Sequence, residues 1–91
     1  MKFEWDPNKA LKNLRKHRVS FNEAATVFDD QLSMTFTDPD HSHEENRYIT
    51  VGLSHTGTVL IVAHADRNDC ICIISARKTT RYERRFYEEG K

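Results

Sequence analysis

The apolar residues of this chain change period at Asp29-Asp30, recurring at three- and four-residue steps before that point and at every second position after it. Such a switch demands helices followed by strands, an α+β order, and excludes a regular alternation of the two. Upstream, Asp6-Pro7 predicts a helix start, because Asp caps the first amides and Pro at the next position lacks only a hydrogen that would be unpaired. The helix runs from Pro7 to His17 with Ala10, Leu11 and Leu14 as its apolar stripe, leaving Lys9, Lys12, Arg15 and Lys16 largely on other faces. Ser20-Phe21-Asn22-Glu23 reads as a capping box, the Ser hydroxyl taking the Glu23 amide and the Glu carboxylate the Ser20 amide, with Phe21, Ala24, Ala25 and Phe28 facing the core.

Downstream, Leu32, Met34 and Phe36 alternate with polar residues as a strand, and Asp38-Pro39-Asp40-His41-Ser42-His43 reads as a solvated, turn-rich loop without metal-ligand spacing. Arg47 to Leu53 and Thr58 to Asp66 pair through Ser54-His55-Thr56-Gly57, Gly supplying a positive φ. A reversal at Arg67-Asn68-Asp69 leads to a last strand, Cys70 to Ser75, and Thr80-Arg81-Tyr82-Glu83 opens a closing helix by a second capping box. The predicted fold is α+β: two N-terminal helices, a four-stranded antiparallel meander and a C-terminal helix, with the helices on one face.

With 91 residues the expectation is a single domain, 1–91, around one small core. Fourteen Lys and Arg balance fourteen Asp and Glu, which excludes a uniformly basic nucleic-acid coat. Charge is nevertheless patterned: the first 20 residues and the segment from Arg77 to Arg85 are basic, and 29–45 is acidic. The longest apolar run, Val59 to Ala63, is far short of a membrane span, and the N-terminus has no apolar signal stretch, so a cytoplasmic location without membrane contact is expected. Cys70 and Cys72 stand too close for an ordinary disulfide and lack the second pair of a zinc site, so they read as small strand residues with free thiols, and no metal or cofactor is expected.

Phe3-Glu4-Trp5-Asp6-Pro7, Asn13, Lys16-His17, Val19-Ser20-Phe21-Asn22-Glu23-Ala24, Val27-Phe28, Asp30, the strand from Arg47 to Gly52, Ile73-Ile74-Ser75-Ala76-Arg77 and Glu83-Arg84 together resemble the BrnT family over nearly the whole chain. Members are ribonuclease toxins of type II toxin–antitoxin systems with a fold similar to RelE-type ribonucleases. The resemblance implies metal-independent RNA cleavage that inhibits translation and growth. It also implies neutralisation by a BrnA-type antitoxin carrying a ribbon-helix-helix domain, through which alone DNA would be contacted. Where relatives place a basic residue before the Ile-Ile-Ser-Ala-Arg run, this chain has Cys72, a change that weakens activity if that cation touches RNA.

Chemistry narrows the candidates. Metal-free RNA cleavage needs a base for the 2′-hydroxyl, an acid for the leaving oxygen and fixed cations on the phosphorane, and Arg suits the last role through its planar, permanently charged fork. Arg77 and Arg81, one helical turn apart, could face one phosphate, and Arg47 shares strand parity with Ile49, Val51 and Leu53. The competing role for all three is salt bridging to the acidic stretch. His64 shares parity with Leu60 and Val62 and is the catalytic imidazole candidate, against a purely structural role. Lys16, His17, Lys78, Tyr82 and Arg84 are the RNA-contact candidates, with helix capping the alternative for His17 and core packing for Tyr82, as for Phe3 and Trp5. A non-catalytic adaptor that binds another protein through its basic rim and acidic loop is the rival reading.

Overall fold

The computed structural model describes residues 1–40 and 46–90, so the expectation for His41, Ser42 and His43 lies outside the described residues. In chain order the elements are β1 (Lys2–Glu4), α1 (Pro7–His17), α2 (Phe21–Thr26), a 3₁₀ turn (Val27–Asp29), β2 (Met34–Thr37), β3 (Arg47–Leu53), β4 (Val59–Arg67), β5 (Cys70–Lys78) and α3 (Arg81–Glu89). Among the described residues the sheet has five strands in the order β1-β5-β4-β3-β2. Four form the expected antiparallel meander. The fifth, β1, runs parallel to β5 with Lys2 opposite Cys70 and Glu4 opposite Cys72, so the sheet is mixed. At three residues β1 carries too little alternation to declare itself, and it becomes a strand only because β5 offers an open edge.

Local chemistry explains the element ends. The Asp6 carboxylate accepts from the Asn8 amide at 2.8 Å, and Arg18 closes α1 in the left-handed conformation at φ 60. The β3–β4 turn uses Gly57 at φ +83, and the β4–β5 turn uses Asn68 and Asp69 at φ 48 and 65, residue types that tolerate this region. Thr80 and Glu83 form the full capping box of α3. The box expected at Ser20 is only half made: Ser20 Oγ accepts from the Glu23 amide at 3.0 Å, but the Glu23 carboxylate turns to the β3–β4 turn, accepting from Ser54 Oγ at 2.8 Å and Thr56 Oγ1 at 2.5 Å. Binding two hydroxyls across the fold displaces a local contact to one amide.

One sheet face carries Leu60, Val62, Ile73 and Ala76 and is covered by α1, α2 and the 3₁₀ turn through Val19, Phe21, Ala24 and Val27. Alternate residues of β4, Val59 and Ile61, point the other way and join Val51, Met34 and Tyr87 of α3. The helices therefore lie on both faces, not one, because β4 is apolar at consecutive positions from Val59 to Ala63 and needs cover on either side. The stripe expected for α1 also shifts. Leu11 and Leu14 are about half exposed, while Ala10 packs inward and Asn13 is buried.

Asn13 has a defined task. Beyond Cys72 the edge of β5 has no β1 residue beside it, and there Asn13 Oδ1 accepts from the Ala76 amide at 3.0 Å while its Nδ2 donates to the carbonyls of Ala76 at 2.8 Å and Val19 at 2.9 Å. One side-chain amide thus replaces a strand neighbour and fixes α1 against the sheet edge. No helix among the described residues is long and apolar enough to cross a membrane.

Candidate functional site

On the face away from α1 and α2, the half of the sheet that α3 leaves uncovered has a floor of small side chains, Ala63, Ala65 and Ser75. Small residues on a twisted sheet make a concavity, and its walls are cationic. A hollow of about 380 Å³ is lined by Glu4, Trp5, Asp6, Lys9, Arg47, Ala65, Arg67, Cys72 and Ile74. Next to it a groove of about 230 Å³ is formed by Lys9, Lys12, Asn13, Lys16 and His17 of α1 with Ile74 and Ser75. Lys9 and Ile74 belong to both, so the two are continuous.

Strand pairing sets the positions. Arg47 stands opposite Ala65, itself opposite Cys72, while Arg77 stands opposite Ile61 on the same face. Four residues along β4 separate the two arginine rows, about 13 Å at the usual rise per residue. Arg47 Nε is buried and meets no hydrogen-bond partner among the described residues. Arg47 nevertheless lines the hollow, so its permanent charge faces whatever enters there. Trp5 packs edge-on against Phe21 at 5.9 Å and also lines the hollow.

Arg77 is held differently. Its Nη1 and Nη2 donate to the two carboxylate oxygens of Glu83, both at 2.9 Å. This fork raises the Arg77 pKa and lowers that of Glu83 to about 2, the Thr80 amide adding to the latter effect. Glu83 is in consequence too weak a base to take a proton near neutrality. Arg81 opens α3 at the surface, Arg84 pairs with Glu88 at 3.5 Å, and Tyr82 is 83% exposed on α3 beside Arg85 and Phe86. Lys78 stands opposite Leu60, on the side of the sheet facing α2.

His64 does not join the arginines. It is 2% exposed on the opposite face, with Nε2 at 2.8 Å from Thr50 Oγ1 and Nδ1 at 2.9 Å from Asp66 Oδ1, between the rings of Phe28 and Tyr48. Burial lowers its pKa against the opposing pull of Asp66, so the neutral ring donates from Nδ1 to Asp66 and accepts from Thr50 at Nε2. Of the candidates named from sequence, the structure thus gathers Arg47, Lys16 and His17, sets Arg77 further along the same face, puts Arg81, Tyr82 and Arg84 on the surface of α3, and separates His64 and Lys78 from them.

Trp5, Lys9, Lys12 and Arg67 were missed by the sequence reading. The spacing of Lys9, Lys12 and Lys16 does place them on one helix face, and Arg67 shares parity with Ala65, but nothing in the sequence says that this helix face borders that sheet face. At the rim, Cys72 Sγ donates to Glu4 Oε1 at 3.0 Å, and burial together with this carboxylate pushes the thiol pKa up to about 11.

Residues 5–83 match the sequence profile of the ribonuclease toxin BrnT of type II toxin–antitoxin systems. The crystal structure of the Brucella abortus ribonuclease toxin BrnT aligns with a TM-score of 0.68 at 21% identity, covering 89% of this chain and 99% of that one, a likeness of fold. No curated protein matches the chain in sequence. The profile match runs from the tryptophan in the hollow to the glutamate that holds Arg77, and on its extent this chain belongs to the BrnT family of ribonuclease toxins.

Proposed function

We propose that the protein is a metal-independent endoribonuclease, akin to RelE-type toxins, that cuts RNA on the open sheet face and thereby halts translation and growth. The observation that carries this reading is the gathering of Arg47, Arg67, Lys9 and Trp5 around one hollow that continues into the groove of Lys12, Lys16 and His17. An RNA phosphate can pair with these cations, and a base can stack on the indole. Arg47 and Arg67 bind the scissile phosphate and its developing charge, while Lys9, Lys12 and Lys16 follow the adjoining backbone. His17, which lines the groove, is the proton-transfer group, since one ring nitrogen can accept a proton while the other donates. Arg77 and Arg81 engage a neighbouring phosphate, with Glu83 holding Arg77 in place. His64 acts by fixing Thr50 within the sheet, without touching substrate.

A BrnA-type antitoxin with a ribbon-helix-helix domain silences the protein by covering this cationic face. The tilted pair of Phe36 and Phe86, ring centroids 6.2 Å apart and both side chains about half exposed, offers an anchor beside it.

The test is cleavage of RNA in excess EDTA by protein freed of its partner, with products ending in a 2′,3′-cyclic phosphate. Arg47→Ala lowers the rate by about 10²–10³, the range for loss of one transition-state donor, while circular dichroism remains that of the parent. Rescue of an EDTA-inactive protein by a divalent ion would overturn the mechanism. A folded protein that cuts no RNA yet binds its antitoxin would favour the adaptor.

A further inference from the structure

Strand β1 does more than extend the sheet, because its parallel register brings Glu4 beside Cys72 and Lys2 beside Cys70 on one face. As a result the Glu4 carboxylate and the Cys70 and Cys72 thiols present oxygen and sulfur atoms that all lie within 4.8 Å of one another. Tetrahedral zinc with Zn–S bonds of about 2.3 Å requires its sulfurs about 3.8 Å apart, a change within reach of small χ1 rotations. Both cysteines and Glu4 sit on paired strand backbone, so the ligand set is held by the sheet instead of by a loop. Glu4 and Cys72 also line the hollow that contains Arg47 and Arg67, whereas Cys70 lies just outside it, opposite Arg67 on β4.

We propose that Glu4, Cys70 and Cys72 form a three-ligand zinc site whose open coordination position faces the cationic hollow, so that zinc occupancy shuts the hollow to RNA. Two sulfurs and one carboxylate suit a borderline-soft d¹⁰ ion and exclude magnesium or calcium, which need all-oxygen shells. Binding converts both thiols to thiolates and releases two protons to solvent, with no change of oxidation state. The resulting centre, two thiolates and a carboxylate on a dication, carries one net negative charge, which the Arg67 guanidinium offsets. Engaging Arg67 in this way removes a cation from substrate, and the ion fills part of the floor next to Ala65. Sequence alone could not assemble the site, since the Cys-x-Cys pair lacks its third ligand until β1 docks. The inhibitory half of the proposal rests on the reading of the hollow as the RNA site; the metal-binding half does not.

The experiment uses cobalt(II) as a spectroscopic stand-in, titrated into the full chain under reducing conditions. Sulfur-to-cobalt charge-transfer absorption should appear at one equivalent and vanish on adding zinc. Cys70→Ser and Cys72→Ser should each weaken zinc binding by at least about a hundredfold, and Glu4→Gln, which leaves both sulfurs, should weaken it while circular dichroism confirms the fold. Zinc should inhibit RNA cleavage by the parent, EDTA should restore it, and Cys70→Ser should cleave equally with and without zinc. A missing charge-transfer band, or one that keeps its full intensity at one equivalent after either serine substitution, overturns the site. Cobalt binding that leaves RNA cleavage unaffected by zinc overturns the inhibition. A protein that binds cobalt as described but never cuts RNA refutes the functional reading and leaves the metal site standing.

Discussion

Asn13→Ala tests whether one side-chain amide completes the sheet edge. The substitution strips partners from three backbone groups at once: the amide and carbonyl of Ala76 and the carbonyl of Val19. Each buried group left unpaired costs about 1–3 kcal/mol, but water reaching the opened edge recovers part of this, giving a net loss of about 3 kcal/mol. For a chain of 91 residues the whole folding free energy is about 5–14 kcal/mol, so this is a large fraction of it. At about 4–8 °C per kcal/mol, Tm measured by differential scanning calorimetry should fall by about 12–24 °C. Asn13→Asp keeps the acceptor for the Ala76 amide, loses both donors and turns a carboxylate towards two carbonyls. Burial and those carbonyls raise the folded pKa of the new carboxyl above its unfolded value near 4. Its protonated form is therefore favoured in the fold, and the penalty, full at neutral pH, should shrink as pH falls through the raised value. A Tm loss below about 4 °C for Asn13→Ala, or a pH dependence of Asn13→Asp no different from the parent, would refute the edge-completing role.

Tyr87→Phe removes the hydroxyl that donates to Asp30 and joins α3 to the segment before β2; urea midpoints should report a loss of about 1.5 kcal/mol. Because burial and Asp30 raise the Tyr87 pKa to about 12 from 10, the parent should keep this contribution up to pH 10 and lose it as pH rises towards 12, a loss the variant lacks. Glu83→Gln should cost about 1 kcal/mol at neutral pH, a modest figure because the Arg77 side chain is 41% exposed, and its difference from the parent should disappear as pH falls from about 4.5 to 2. His64 has a lowered folded pKa, so the unfolded chain takes up its proton first and the parent should lose stability as pH falls below about 6.5; His64→Gln should flatten that slope in pH-resolved denaturation.

Much of the skeleton was written locally. The caps at Asp6 and Thr80, the positive φ at Gly57 and the change of period at Asp29-Asp30 depend on residues within a few positions of one another, which is why α1, α3, the β3–β4 hairpin and the meander could be read directly. Family membership was legible for a related reason, since it rests on the order and spacing of residues along the chain.

Tertiary structure decided what depends on distant neighbours. β1 exists through pairing across 68 positions, Asn13 reaches 63 residues to Ala76, and Glu23 abandons its local amide for hydroxyls about 30 residues away. A solitary polar residue in a helix, such as Asn13, announces a surface position until a strand edge without a neighbour claims it. The candidate site followed the same rule. Strand pairing put Arg47 and Arg77 on one face and His64 on the other, and the docking of α1 beside Ile74 and Ser75 turned Lys9, Lys12, Lys16 and His17 into the wall of a hollow. Sequence spacing fixes which face of an element a side chain occupies, because that geometry is set by the backbone period; which faces meet is settled by burial of apolar area over the whole fold, and on that depended both the cationic hollow and the sulfur-rich rim.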